Sequence, residues 1–160
     1  MPIKFDYSSR FKILKGGKIS LIVSSLVISS SISYAAPSGE NIINGNVNID
    51  RSVTNTTNIT QTTDKSIINW KNFDIAKNEK VNFNMPSSSS SSLNRVVSSE
   101  ASKIQGQINS NGQVILVNQN GVYFSKDSSV NTQGLVTSTL DIKDEDYKNS
   151  KYNFEGKSDA

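Results

Sequence analysis

Short apolar runs separated by Asn, Gly and Ser make up most of the chain from residue 68 to residue 142, and this pattern limits the fold more than any other feature. Val81 to Met85 alternates apolar and polar side chains with the period of two that is typical of a strand. Gln113 to Val117 reads as a buried strand. The dipeptides Asn111-Gly112 and Asn120-Gly121 beside it are turn signals, because Asn and Gly tolerate positive φ. The pattern predicts an all-β fold.

Two arrangements fit strands this short. Adjacent hairpins explain the turns locally, whereas a parallel β-helix explains them as successive corners, with like side chains stacked in ladders from coil to coil. The sequence has no exact repeat period that decides between the two. Further strand-like runs lie at Asn41–Asp50, Val53–Thr62, Ser66–Trp70, Gly121–Phe124 and Gly134–Ile142.

The serine run Ser87–Ser92 could be a flexible linker between two domains. Apolar residues resume at once with Leu93, Val96 and Val97. An ordered loop or polar strand within one domain is therefore the favoured interpretation.

Residues 1–35 have the pattern of a signal peptide. A basic head precedes the apolar stretch Ile19–Ile28, which is too short to span a membrane. Ser33 and Ala35 are small residues at the −3 and −1 positions of a cleavage site after Ala35. The alternative is a membrane anchor, but serines interrupt the apolar stretch and no longer one follows. Export of residues 36–160 is the expectation.

The leader also explains the basic character of the chain, which has 17 Lys and Arg against 14 Asp and Glu. Residues 1–18 hold five of the basic side chains and one acid, so the remainder has 12 basic and 13 acidic side chains. A nucleic-acid partner is therefore not expected.

The chain contains no Cys and no His. Disulfides, zinc sites of the Cys/His type and His-based catalytic triads are therefore excluded. No pair of carboxylates is spaced for acid–base chemistry about a cleft. The sequence predicts no catalytic residue, no metal site and no cofactor.

Several segments together resemble the secretion domain of two-partner secretion exoproteins, the filamentous-haemagglutinin-like family. Each is weak alone, but their order and spacing are specific. One departure occurs at Gln119, because the family usually has Asn-Pro-Asn-Gly where this chain has Asn118-Gln119-Asn120-Gly121. The segments are Ile68–Trp70, Val81–Pro86, the serine run with Leu93–Val97, Ile104–Ile108 with its Ile-x-Gly sequence, Asn118–Phe124 and Gly134–Ile142.

The resemblance, which covers about residues 41–154, implies a right-handed parallel β-helix with an amino-terminal cap. It also implies export through an outer-membrane β-barrel transporter whose periplasmic domains bind the extended secretion domain. Residues 36–160 would form that domain, truncated at its carboxyl end, because such domains and their exoproteins are usually longer. A fragment, a truncated gene and a misplaced stop remain open as explanations. Host-cell receptors or glycans would be bound by a passenger region that is missing here.

Six residues are candidates for recognition by the transporter: Asn94, Arg95, Asn118, Gln119, Asn120 and Gly121. Each has a structural alternative, since residues 118–121 fit a tight turn between buried strands. Asn94 fits a ladder residue, and Arg95 fits a surface charge on an alternating strand.

Two other groups have a structural interpretation that is favoured over a functional one. Trp70 and Phe73 could bind sugar, but core or cap packing is preferred. Asp144, Glu145 and Asp146 could bind calcium, but they lack the loop pattern of such sites, so a solvated acidic loop is preferred. The rival functions for the whole chain are a surface adhesin that needs no transporter and a polysaccharide-active β-helix enzyme.

Overall fold

The computed structural model describes residues 36–156, so the predicted signal peptide and its cleavage site at Ala35 lie outside the described residues. Most of the described part is β-structure, with one short helix, α1 (Asp144–Lys148). No helix between residues 36 and 156 is long and apolar enough to cross a membrane. The strands are β1 (Asn41–Asn44), β2 (Val47–Asp50), β3 (Thr56–Gln61), β4 (Lys65–Trp70), β5 (Lys80–Asn84), β6 (Ser91–Val96), β7 (Ser102–Ile104), β8 (Gln107–Ser110), β9 (Gln113–Asn118), β10 (Val122–Phe124), β11 (Ser129–Asn131), β12 (Gly134–Ser138), β13 (Asp141–Ile142) and β14 (Phe154–Glu155).

The chain winds into a β-solenoid of about 4 turns. One sheet has the order β1-β4-β6-β9-β12, a second has β11-β8-β5-β3-β2, and β7 pairs with β10 in a third. Strands of successive coils are parallel and in register, so that Lys65, Ser91, Gln113 and Gly134 occupy successive rungs of the first sheet. The predicted parallel β-helix is confirmed. Because β8, β9 and β10 lie in three different sheets, the turns on either side of β9 are corners of one coil and not hairpins.

Two antiparallel strands cap the amino-terminal end. β1 pairs with β4, and β2 pairs with β3. Arg51 fastens this cap, since its guanidinium donates to both carboxylate oxygens of Glu40 at 2.9 Å and to the carbonyl of Pro37 at 2.8 Å. Capping strands protect the first coil, whose edge would otherwise be open to pairing with another chain.

The core runs through the interior of the coils. Trp70 and Phe73 lie within it, with ring centroids 5.5 Å apart in an edge-to-face arrangement. Both side chains are almost fully buried, so the packing interpretation of these aromatics is confirmed for the folded chain. Serine and asparagine share the interior, and Ser66 donates to Ser92 one coil away at 3.0 Å.

An asparagine ladder lies on the second sheet. Asn82 donates its side-chain amide to the amide oxygen of Asn58 at 2.9 Å, and Asn109 donates to Asn82 at 3.0 Å. The stack lies within β3, β5 and β8. Amide stacking of this kind stabilises the in-register pairing of successive coils.

The serine run is ordered and belongs to the single solenoid. Ser87–Ser90 form a tight turn closed by a bond from the Ser90 amide to the Ser87 carbonyl at 3.2 Å. β6 then begins at Ser91. The preference for an ordered segment over a linker is confirmed.

Residues 141–155, named the strap here, leave the coil path after β12. They contain β13, α1 and β14, and β13 pairs antiparallel with β14. The acidic triplet forms the first turn of α1. The expectation of a solvated acidic loop is therefore wrong. Carboxylates at this end of a helix interact favourably with its dipole, which favours the helix.

Candidate functional site

Arg95 connects β6 to the strap. It points outward from β6, and its Nε donates to Asp141 Oδ1 at 2.7 Å. One terminal nitrogen donates to Asp144 Oδ1 at 2.9 Å and to the Ile142 carbonyl at 2.7 Å, while the other donates to Asn69 Oδ1 at 3.1 Å. Arg95 thus binds the strap to the first sheet, and it is more than the isolated surface charge considered from the sequence.

Burial would lower the pKa of Arg95, but hydrogen bonds and charge from Asp141 and Asp144 outweigh it and raise that pKa above its ordinary value. The guanidinium therefore stays charged at any pH the chain meets. Arginine suits this place because its planar fork presents several donors at once, as a lysine ammonium cannot.

Asn94 faces the opposite side of β6 and is fully buried. Its side-chain oxygen accepts from the indole nitrogen of Trp70 at 3.0 Å, and its amide donates to the Ser92 carbonyl at 3.2 Å. A buried amide with both ends satisfied stabilises one packing of the core. In the folded domain, Asn94 is not available to a partner.

The segment Asn118–Gly121 forms the predicted turn. The Gly121 amide donates to the Asn118 carbonyl at 3.0 Å, and Gly121 has a positive φ of 101°. The Asn118 side chain is buried, accepts from the Asn120 amide at 2.9 Å and donates to the Ser102 hydroxyl at 3.0 Å. Gln119 and Asn120 are exposed at the tip. The turn therefore anchors itself through Asn118 and presents Gln119 and Asn120 outward.

A groove of about 250 Å³ joins the two candidate segments. Arg95 and Gln119 both line it, together with Val97, Val117 and Asp141. Val97 is 58% exposed, so the groove has an accessible apolar wall beside a fixed cation. The structure brings Arg95 and Gln119 together at this groove, which we call the Arg95 groove, and points Asn94 and Asn118 into the interior.

Sequence reasoning missed Lys65 and Tyr147, which hold the strap at its other end. Lys65 Nζ donates to the carbonyls of Tyr147 and Lys148 at 2.8 Å and 2.9 Å, and lies 5.4 Å from the centre of the Tyr147 ring. The Tyr147 hydroxyl is 2.7 Å from the Ser91 hydroxyl. In the sequence, Tyr147 stands between charged residues, a pattern that does not identify its partners.

Comparison with known proteins gives this geometry its context. A model of the TPS secretion domain, the domain of two-partner secretion, matches residues 33–159. The chain belongs to this family. The resemblance seen in the sequence is thereby confirmed, and with it export through the outer membrane to the cell surface or the medium.

Individual TPS proteins show the same relationship. A heme/hemopexin-binding protein of Haemophilus influenzae is 34% identical over 140 residues, which is 85% of this chain and 15% of that protein. A protein of the same name from strain Rd is 36% identical over 129 residues, covering 78% of this chain and 14% of that protein. The chain thus spans about one seventh of the length of these curated relatives.

A solved structure shares the fold. The crystal structure of the HMW1 secretion domain from Haemophilus influenzae is 38% identical with a TM-score of 0.73, over 78% of this chain and 33% of that one. The related proteins are thus a secretion domain and heme/hemopexin-binding proteins.

Proposed function

We propose that this chain acts as the amino-terminal secretion domain of a large haemagglutinin-like adhesin. An outer-membrane β-barrel transporter recognises it through periplasmic domains and exports it. The family match over residues 33–159 carries the proposal, because it covers most of the chain and contains all the segments by which the sequence resembles the family. The parallel solenoid with an amino-terminal cap supports it independently.

Residues 1–35 serve as the signal peptide in this proposal, and residues 36–160 form the secretion domain. Cleavage falls after Ala35, where the −3 and −1 residues are small. Amino-terminal sequencing of the exported protein tests this step. A mature chain that still begins at Met1 would contradict it.

Transporter dependence is tested by expressing the chain with and without its cognate β-barrel partner and comparing the medium with the periplasm. We expect the chain in the medium only when the partner is present. Equal amounts in the medium without the partner would overturn the transporter role and favour a directly exported adhesin.

We propose that the transporter reads the Arg95 groove and its rim. Arg95 and Gln119 line the groove, and Asn120 and Gly121 complete the adjoining turn. Asn94 and Asn118 contribute from beneath by holding the two strand ends in place. An apolar wall beside a fixed charge gives a protein partner both contact area and orientation.

A matched pair of substitutions separates recognition from folding. Val97 lines the groove and is 58% exposed, while Val53 lies near the cap and is 56% exposed. Val97→Asp should lower secretion at least several-fold with little change in melting temperature, because an exposed position tolerates the charge but the partner must desolvate it. Val53→Asp should leave secretion unchanged. Equal secretion by the two variants would show that recognition lies elsewhere.

We further infer that the domain has no enzymatic role and that host receptors or glycans bind other regions of the exoprotein. The nature of the relatives supports the first inference. A screen for glycan cleavage by the purified chain tests it, and any turnover that exceeds the blank would refute it.

A further inference from the structure

The outer surface of the first sheet has an apolar ladder that lies apart from the interior core of the coils. Ile67, Leu93, Ile115 and Val136 occupy successive rungs of β4, β6, β9 and β12. They point away from the interior, since their neighbours Ile68 and Leu116 belong to the core. An apolar row on an outer face marks a contact surface. We call this row the outer ladder.

The strap covers three rungs of the outer ladder. Ile67, Leu93 and Ile115 are at most 1% exposed and pack with Tyr147 of α1 in a second apolar cluster. The fourth rung, Val136, is left 43% exposed. The surface therefore extends beyond the segment that now occupies it.

The strap shows which chemistry fits this surface. Its aromatic ring, Tyr147, sits on the apolar rungs with its hydroxyl at Ser91. Two carboxylates beside it, Asp141 and Asp144, reach Arg95. The matching occupant is a segment with an aromatic side chain flanked by carboxylates.

The strap is also held in a way that permits exchange. Its strands β13 and β14 pair only with each other among the described residues, so no β-ladder joins the strap to the first sheet. Its attachments are side-chain packing and the bonds from Arg95 and Lys65. The strap can therefore separate without breaking the backbone pairing of the coils.

The order of the elements along the chain indicates which segment can bind the outer ladder first. β4, β6 and β9 all precede the strap in the chain. When coils form from the amino end, the outer ladder exists before residues 141–155 can cover it, and burying exposed apolar area is favourable for whichever segment arrives first.

We propose that the outer ladder is a docking surface for an aromatic, acidic segment of the transporter's periplasmic domains, and that the strap displaces this segment when the domain closes. The inference rests on the proposed function and adds the surface, the chemistry of the partner segment and the step that ends the contact at the outer ladder. The Arg95 groove, which includes Asp141 of the strap, is complete only after that step. The strap acts as an intramolecular competitor, so the apparent affinity for a partner is reduced by the fraction of chains whose strap is closed.

The test uses a labelled synthetic peptide with the sequence of residues 139–156 as the probe, and fluorescence anisotropy with the purified exported chain. Asp144→Asn removes a contact to Arg95, whereas Asp146→Asn makes the same chemical change in the same helical turn without touching Arg95. We expect Asp144→Asn to bind the peptide about tenfold more tightly than the wild type and Asp146→Asn to match the wild type. Equal binding by all three chains would overturn the inference.

A second variant tests whether the peptide binds at the outer ladder. Adding Leu93→Gln to Asp144→Asn replaces an apolar side chain of the outer ladder with a polar one. This double variant should lose the gain in peptide binding while its circular dichroism spectrum stays of the β type. If the gain persists, the peptide binds elsewhere and the inference fails. If this double variant loses its β-spectrum, a peptide with Tyr147→Ala is tested on the Asp144→Asn chain instead, and it should lose the same gain, because Tyr147 is the side chain that packs on the ladder.

The transporter's periplasmic domains are then added to the peptide complex. Displacement of the peptide supports the inference. Binding of the domains without displacement overturns it while leaving transporter recognition intact. If the domains bind none of the chains, including an unfolded preparation, the proposed function itself fails.

Discussion

Gly106→Ala is expected to destabilise the solenoid strongly, because a Cβ at this glycine would clash with the backbone of the preceding coil. It follows β7 at a corner, and a Cβ there would lie well under 3.0 Å from the backbone oxygens of Glu79 and Ala76. Real Cβ atoms do not approach backbone this closely, so the corner must move. The movement pulls on the bond from the Gln107 amide to the Glu79 carbonyl, now 3.0 Å long.

The magnitude follows from two effects. Overpacking a close contact costs about 1–3 kcal/mol, and a weakened hydrogen bond adds about 0.5–1.5 kcal/mol. We expect a loss of about 1.5–4.5 kcal/mol, a large share of the roughly 5–15 kcal/mol that holds a domain together.

Urea unfolding followed by circular dichroism measures this change, with Gly134→Ala as the control. A Cβ at Gly134 would lie 3.4 Å from the nearest atom, the Gln113 Cγ, which is ordinary contact. The control should change stability by no more than about 0.5 kcal/mol. A loss below about 1 kcal/mol for Gly106→Ala, or an equal loss for Gly134→Ala, would refute the close-approach reasoning.

Three further substitutions test local features. Gly121→Val should cost about 1–3 kcal/mol, because Gly121 has a φ of 101° that a β-branched residue rarely adopts; an unchanged melting temperature would contradict the turn geometry. Gln119→Pro should add about 0.4–1 kcal/mol, because Gln119 occupies the turn position where proline pre-sets φ; a lower urea midpoint would show that the backbone there does not accept proline. The wild type should lose stability at high pH through ionisation of Tyr147, and Tyr147→Phe should not show this loss. Burial raises the pKa of Tyr147 from 10.0 to about 12, so stability is complete below pH 10 and falls by about 2–3 kcal/mol as the pH rises to 12. Identical alkaline unfolding curves for Tyr147→Phe and the wild type would rule this out.

Local patterns predicted the strands and corners well, because these depend on neighbouring residues. The alternation around Val81–Met85 corresponds to β5, and Gln113–Val117 corresponds to β9. The Asn120-Gly121 turn followed from the φ preferences of two residue types. Local patterns could not assign each strand to a sheet, since hairpins and coil corners share the same turn residues. That assignment required either the family resemblance or the structure.

The strap was not predictable in the same way. Arg95 and Asp144 are separated by 49 positions, so no local pattern links them. α1 has 5 residues, which is too short to show helical periodicity and too short to be stable without its packing. Tertiary contacts through Tyr147 and Arg95 hold the helix in place. The charged sequence around α1 does not indicate these contacts.

Unequal corners explain the missing repeat period. Asn58 and Asn82 stack although 24 positions separate them, and Asn82 and Asn109 stack across 27. The strands keep their register while the corners absorb the difference in length. Side-chain ladders therefore repeat in space and not in sequence, and a search for a fixed period cannot find them.

The composition and topology of the chain favour late folding. The chain has no Cys, so no disulfide can lock it in an oxidising compartment. Its coils are joined by parallel pairings between residues more than twenty positions apart, and such non-local contacts form slowly. Serine and asparagine fill interior positions at Ser66, Ser92 and Asn94, so the unfolded chain exposes fewer apolar side chains to aggregation. Those polar residues are satisfied only when successive coils meet, because their hydrogen-bond partners include residues one coil away. The stability of the solenoid therefore arises late, when several coils are present together.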